Sequence, residues 1–221
     1  DFTASEIDCF GNESTIEYTG NMGPLANYEW NFDGGVATPG TGQGPQQVTW
    51  ASAGDFDVSL SVNQNNCYSD TTTITIHNPT ELTVTGTVND TVCFGDNDGE
   101  ASISVSGGTG SYSYQWDDPY YQVTPTASNL AGGTYGVTVS DENGCEVSES
   151  ITIVEPPQLD ITFNSDVSIC EGQQVNLQIN ATGGTPPYEY YWEKGNNGFM
   201  QGNNMQLVNP SNDVTYTVYV V

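Results

Sequence analysis

Apolar and polar residues alternate along most of this chain, in short runs. Ser14–Tyr18 reads "STIEY", Glu100–Ser106 reads "EASISVS" and Val175–Thr182 reads "VNLQINAT". A period of two sends successive side chains to opposite faces of a strand. A second set of runs follows: "GDFDVSLSV" from Gly54, "GTYGVTVSD" from Gly133 and "VTYTVYVV" from Val214. All are rich in Val, Ile, Thr and Tyr and are bounded by Gly, Pro or Asn, which marks them as strands. No stretch keeps a 3.6-residue period over a dozen positions, so the pattern predicts no helix. "DENGC" predicts a tight Asn-Gly hairpin turn.

The runs belong to a larger repeat. A Cys-x-Gly phrase precedes each first run: "CFGN" at Cys9, "CFGD" at Cys93 and "CEGQ" at Cys170. After the run come a turn and an aromatic strand ending in Trp: "NYEWNF", "SYSYQWDD" and "YEYYWEK". Cys and Trp are 21, 23 and 22 residues apart in the three units. The second and third entry turns match closely, "GGTGSYSYQW" against "GGTPPYEYYW". About seven strands in under eighty residues, with a core tryptophan on the third, predict an immunoglobulin-like sandwich. The expected fold is all-β: three tandem sandwiches in a rod, the third truncated before its last strand. The expected domains are 1–79, 80–157 and 158–221. They join at "HNPTEL" and "VEPPQL", short proline-bearing linkers that should be stiff. The unfinished edge of the third domain should be sticky.

Composition narrows the function. The chain carries 28 acidic residues against one basic residue, Lys194, for a net charge of −27. Nothing is available to neutralise phosphates, so nucleic acid is excluded as a partner. An anionic membrane would repel the chain. No apolar run approaches the roughly 20 residues of a membrane helix, so no membrane insertion is expected. Thirteen Tyr, seven Phe and four Trp supply core area. The first residue is Asp and no signal peptide is visible, as expected for an interior piece of a longer mature protein.

Residues 1–79 resemble a PKD domain of bacterial surface proteins. The family's Trp-Asp-Phe-Gly-Asp-Gly signature has a weakened counterpart in Trp30-Asn31-Phe32-Asp33-Gly34-Gly35, and its later strand in Gly54–Val62. Residues 80–157 resemble the SprB-type repeat of Bacteroidota gliding-motility adhesins. The matching phrases are "CFGDNDGEASISVSGGTGSYSYQW", "NLAGGTYGVTVSDENGC" and "ESITIVEPP". Residues 158–221 look like a related adhesin repeat. The resemblance implies type IX secretion across the outer membrane and a place on the cell surface. The implied partners are neighbouring repeats of the same polypeptide, surface polysaccharide, and the gliding or secretion machinery.

Five cysteines in an exported chain suggest disulfides, and two pairings are open. In a sandwich the second and sixth strands run the same way. A cysteine before the second strand and one after the sixth then sit at opposite poles, about 20 Å apart, whereas a bridge needs Cα atoms within about 7 Å. Head-to-tail stacking instead brings Cys9 to Cys145, leaving Cys67, Cys93 and Cys170 to pair outside this chain. The alternative pairs Cys9 with Cys67 and Cys93 with Cys145, through an irregular first loop.

Catalytic chemistry is not expected. His77 is the one histidine and sits beside a linker. No triad or zinc spacing is present, and Asp117 and Asp118 are adjacent on a strand and so face opposite ways. Calcium is the one ion the acidic loops would suit, through Asp96, Asp98 and Glu100 in "GDNDGE" and Asp141 and Asn143 in "SDENG". The same residues also serve as ordinary turn formers. Tyr120 and Tyr121, beyond the strand and beside Pro119, are candidate glycan contacts. Thr71 and Thr91 sit in Asp-Thr-apolar or Asp-Thr-Thr contexts that resemble a Bacteroidota O-glycosylation motif. The expected function is a structural and adhesive stalk segment with multivalent weak binding. The alternative is a non-catalytic carbohydrate-binding or spacer region of a secreted hydrolase.

Overall fold

The computed structural model describes residues 1–163, 167–195 and 197–221. Among them there are twenty strands and no helix. The first eight are β1 (Phe2–Ala4), β2 (Ser14–Tyr18), β3 (Asn27–Asn31), β4 (Val36–Thr38), β5 (Gln46–Thr49), β6 (Gly54–Gln64), β7 (Cys67–Tyr68) and β8 (Thr72–Asn78). They form a sheet in the order β1-β2-β5-β4 and a second in the order β3-β6-β7, with β8 also paired to β6. The next six are β9 (Thr83–Asn89), β10 (Gly99–Ser106), β11 (Ser113–Trp116), β12 (Thr126–Leu130), β13 (Gly133–Ser140) and β14 (Glu146–Ile153). Their sheets are β12-β10-β9 and β11-β13-β14. The last six are β15 (Asp160–Phe163), β16 (Val175–Thr182), β17 (Tyr190–Lys194), β18 (Met200–Gly202), β19 (Met205–Val208) and β20 (Tyr216–Val220), in sheets β15-β16-β19 and β18-β17-β20. The chain is thus a tandem array of immunoglobulin-like β-sandwiches. Eight and six strands replace the expected seven in the first two sandwiches, and the described residues of the third hold the six expected there.

By compactness the chain divides into two units. One comprises residues 1–87, 101–127 and 135–151; the other comprises 88–100, 128–134 and 152–221. The division cuts the middle sandwich across its strands.

Alternation decides which residues enter the core. Along β6, Val58, Leu60 and Val62 are buried while the residues between them are only half-buried or exposed. The aromatic strand holds the same register each time. Trp30 lies opposite Leu60, Trp116 opposite Val137 and Trp192 opposite Val218. Each indole N–H donates to a loop carbonyl further along: Gly42, Thr124 and Asn203 respectively. A buried indole needs such a partner. Trp116 and Trp192 are core residues, as expected, but Trp30 is only half-buried. Trp50, just after β5, fills the first core instead. It is buried, its ring stacks on Phe56 and its N–H donates to the Phe32 carbonyl. Trp30 is left at the margin, stacked on Phe32.

The Cys-x-Gly phrase is the same turn three times. The amide three residues after Cys9, Cys93 and Cys170 donates to that cysteine's carbonyl. Gly11, Gly95 and Gly172 take the third position with φ of 81°, 82° and 80°. A positive φ there is the type II signature and favours Gly. The expected Asn-Gly hairpin differs in detail. Of that pair only Gly144 has positive φ, and the turn closes from the Gly144 amide to the Asp141 carbonyl. The two-residue turn with both residues at positive φ is Asn65-Asn66, in the first sandwich.

A second repeated device sits where each linker meets the next sandwich. The Gly108 amide donates to Thr80 and the Gly184 amide to Pro157. The preceding glycines, Gly107 and Gly183, press on the next linker carbonyl. A Cβ at Gly107 would lie 1.8 Å from the Glu81 oxygen, and one at Gly183 2.0 Å from that of Gln158. Tyr112 and Tyr188 then reach back to donate to the carbonyls of Gly107 and Gly183. Gly107→Ala and Gly183→Ala should each lose more than about 2 kcal/mol, through clash and a left-handed backbone together. Gly11→Ala, with open space around it, should lose only about 1 kcal/mol. Urea unfolding of the three variants measures the difference.

Candidate functional site

The residues with chemistry gather at the second sandwich's entry turn, within the unit that contains residues 1–87. Asp141 directly follows β13 and is buried. One carboxylate oxygen accepts from the amides of Asn143 and Cys145, and the other from the amide of Thr109. Burial alone would raise its pKa, but these amides, with that of Gly144, hold it below the ordinary 3.8. Asp141 therefore fixes both the turn that carries Cys145 and the adjoining entry loop. On that turn Asn143 donates its side-chain amide to the Asp8 carbonyl. Next to Asp8, Cys9 forms a disulfide with Cys145, with Cα atoms 5.6 Å apart at a sequence separation of 136.

The within-unit alternative does not form. Tyr18, at the end of β2, packs against Tyr28, which faces Val62 near the Cys67 end of β6. Cys9 precedes the start of β2 and so lies at the other pole. In the second sandwich the Thr91 amide, two residues before Cys93, bonds to Val154. Val154 follows the end of the eight-residue strand β14, whereas Cys145 precedes its start. Cys67, Cys93 and Cys170 are exposed thiols.

The calcium candidates are not brought together. Asp98 accepts from the Val92 amide, Glu100 from the Asn89 side chain, and Asp96 is exposed with its amide bonded to Cys93. Asp141 accepts from three backbone amides, and the Asn143 side chain donates its Nδ2 to the Asp8 carbonyl. Among the described residues no group of three or more His, Cys, Asp or Glu side chains is placed to hold a metal. Short Gly-flanked loops need their own amides satisfied, and these side chains meet that need first.

The remaining candidates separate cleanly. Thr91 is buried, with both its amide and its hydroxyl on the Val154 carbonyl, so it does not offer an oxygen for a glycan. Thr71 is exposed. Asp118 is buried and accepts from the amides of Tyr120 and Gln122 and from the Gln122 side chain. Burial would raise its pKa, and the Gln122 and Tyr120 bonds outweigh that and lower it. The loop so held presents Tyr120 and Tyr121 to solvent. Tyr121 edges a groove of about 650 Å³ that includes Asp117 and Glu149. His77 pairs with Asp55 at 2.6 Å, both well exposed. Sequence reading missed Asp141 as a positioning residue and the Asp8 carbonyl as the acceptor of the Asn143 side chain. The visible signal was the Asp four residues before Cys145.

The folded pKa of Asp141 lies below the unfolded one, so its stabilisation is full above about pH 4 and is lost as pH falls through the folded value. Asp141→Asn should therefore flatten the acid limb of the stability curve, measured by thermal unfolding between pH 7 and 3. Cys145→Ser should remove the effect of reductant on unfolding and lose roughly 4–5 kcal/mol.

No curated protein sequence matches the chain. Among solved structures it is similar to a C-terminal 282-residue fragment of intimin, solved with the intimin-binding domain of its translocated receptor. That match has 14% identity and a TM-score of 0.47, and covers 74% of this chain and 66% of the fragment. It is also similar to immunoglobulin domains 1–5 of Sidekick-1, at 15% identity over all of this chain and 56% of that one, with a TM-score of 0.34. Extracellular domains 3–5 of Drosophila OTK match at 12% identity over 96% and 91%, with a TM-score of 0.29. All three scores are below 0.5, and the assignment of fold rests on the strands themselves. Two stretches, residues 85–119 and 176–197, match the family model of the SprB repeat, and each ends just past its sandwich's tryptophan.

Proposed function

We propose that the chain is a stalk segment of a large secreted cell-surface adhesin of the gliding-motility type. Three repeats, 1–79, 80–157 and 158–221, follow one another, the first of them PKD-like. Each acts as a stiff spacer, and adhesion arises from many weak contacts, because multivalency multiplies a weak affinity. The two SprB-repeat matches support this reading. So does a disulfide, which forms in oxidising, extracellular surroundings. No helix among the described residues is long and apolar enough to cross a membrane. Export by the type IX system, and contact with surface polysaccharide or gliding machinery, belong to the same proposal.

The observation that carries it is the repeated junction. Asp8, just before Cys9, accepts from Asn143 beside the staple. Val92, just before Cys93, accepts from Thr185 of the third sandwich's entry turn. The same carbonyl thus receives the next repeat twice. On this reading Cys93, Cys170 and Cys67 are hooks for cysteines outside residues 1–221. Non-reducing peptide mapping of a longer natural polypeptide should find each of them bridged to a neighbouring repeat. Free thiols throughout, or a Cys67–Cys93 bridge, would refute the series of staples.

Exposed Tyr120 and Tyr121 beside the Asp117 groove favour a second reading, a carbohydrate-binding region of a secreted hydrolase. Bead-displayed chain should bind surface polysaccharide at least about 100-fold more tightly than monomer if the stalk reading holds. Tight monomer binding to one glycan, abolished by Tyr120→Ala or Tyr121→Ala, would select the second.

A further inference from the structure

One residue past each repeat's tryptophan, the strand turns a side chain to its outer face, against a residue of the neighbouring strand. In the first sandwich Asn31 meets Ser59, and in the third Glu193 meets Thr217. In the second, Asp117 meets Gly136: its amide donates to the Gly136 carbonyl, and its Oδ1 accepts from the Gly136 amide. Two of the three pairs thus carry a side chain on both strands, and the third leaves a gap. The gap continues across β14. Thr134 meets Thr152 and Thr138 meets Ser148, so Ser150 stands opposite Gly136 on its other side. The groove of about 650 Å³ beside Tyr121 lies over these residues, within the ~300–1,000 Å³ of small-ligand clefts.

Its chemistry is polar, with one ring at the rim. A Cβ at Gly136 would lie 3.0 Å from Asp117 Oδ2, so that oxygen overhangs the gap. Gln115, Thr138 and Ser148 add an amide and two hydroxyls. Tyr121 is 71% exposed, and its φ of 50° is left-handed, a conformation that bulky side chains rarely take. Asp118 enforces it. The buried carboxylate accepts from the amides on either side, Tyr120 and Gln122, while the Tyr121 amide donates to the Asp118 carbonyl. Backbone strain of this kind gathers at binding sites. Here it holds an aromatic ring out in solvent beside a groove.

The lining selects the ligand. Among the described residues no Lys, Arg or His borders the groove, and the chain's charge of −27 repels an anion. Trp116 and Val137 run beneath it but are buried, so they offer no apolar wall. What suits a carboxylate oxygen, hydroxyls and a single ring is a molecule with hydroxyl donors on its rim and C–H groups on one face. The electron-rich ring face attracts the C–H groups, and a carboxylate accepts from hydroxyls in stronger bonds than a neutral oxygen does. We infer that the groove of Asp117, Gly136 and Tyr121 binds a neutral hexose unit of a polysaccharide, with Tyr121 stacked on the sugar and Asp117 Oδ2 accepting from its hydroxyls. The inference deepens the reading of the chain as a polysaccharide-contacting stalk and rests on it: the groove supplies the single weak contact that the stalk multiplies. It needs none of the staples.

The probes are dextran, mannan and galactan, with alginate as the polyanionic control, each titrated into the isotope-labelled whole chain in EDTA. At least one neutral polymer should bind saturably with a Kd of about 1 mM per site and shift the amides of Asp117 and Gly136; alginate should not. Gly136→Thr, which copies Thr217 of the third sandwich, should weaken binding at least about tenfold with the thermal midpoint unchanged. Asp117→Asn keeps an acceptor for the Gly136 amide but replaces Oδ2 by a donor, and should weaken binding too. So should Tyr121→Gly, whose left-handed backbone suits glycine and keeps the fold. No binding by any neutral polymer, binding unchanged by Gly136→Thr or Tyr121→Gly, shifts confined to another face, or equal binding of alginate would overturn the site. An avidity gain on beads that survives Gly136→Thr would refute the groove and leave the stalk standing. Monomer binding that Gly136→Thr abolishes, without any gain on beads, would do the reverse.

Discussion

A linker of a few residues between two sandwiches cannot leave its carbonyls unsatisfied where the chain packs against its neighbour. Thr80 and Pro157 meet this constraint in the same way, on the second glycine of the following entry turn. The bond works only because the first glycine brings backbone against backbone, closer than any Cβ permits. A tyrosine hydroxyl then locks that first glycine from the far side. Three small groups thus set where each sandwich begins relative to its own linker. In the first compact unit they also present the Asp141 turn to Asp8.

The energetic order follows. Each hydrogen bond in this set contributes about 1 kcal/mol net. The core contacts of a single buried valine contribute about 2 kcal/mol. The bridge closes a far longer loop than either, and in the chain-entropy view contributes about 4–5 kcal/mol. The weak, exactingly placed bonds bring the two sulfurs together, and the strong bond then retains what they arranged. Asp141 couples the two levels: it orders the turn through three amides and sits one turn away from Cys145.

Much of the fold was legible because alternation is a direct record of burial. The runs at Ser14, Glu100 and Val175 became β2, β10 and β16, and the later runs became β6, β13 and β20. Strand direction and head-to-tail stacking put Cys9–Cys145 among two open pairings, and the fold selects it. The site was less so. Acidic residues in Gly-rich loops have one appearance in sequence and several uses, and only the fold shows that Asp141 faces inward among amides. Thr91 looked like a surface motif because its two flanking residues are polar or apolar in the right order; Val154, sixty-three residues away, buries it. Trp50 displaced Trp30 from the first core because it follows an inner strand of the opposite sheet, a tertiary choice that no local period records.

The staple also redirects load. Tension entering near Asp1 reaches Cys9, crosses one covalent bond and continues from Cys145. Strands β2 to β8, and most of the second sandwich, lie off that path. The enclosed chain, whose ends are separated by 136 positions in sequence, represents roughly 450–490 Å of slack that pulling does not release while the bond is oxidised. The load falls instead on what lies outside the loop, including β1, whose buried Phe2 and pairing with β2 tie the entry of the chain to the first sandwich.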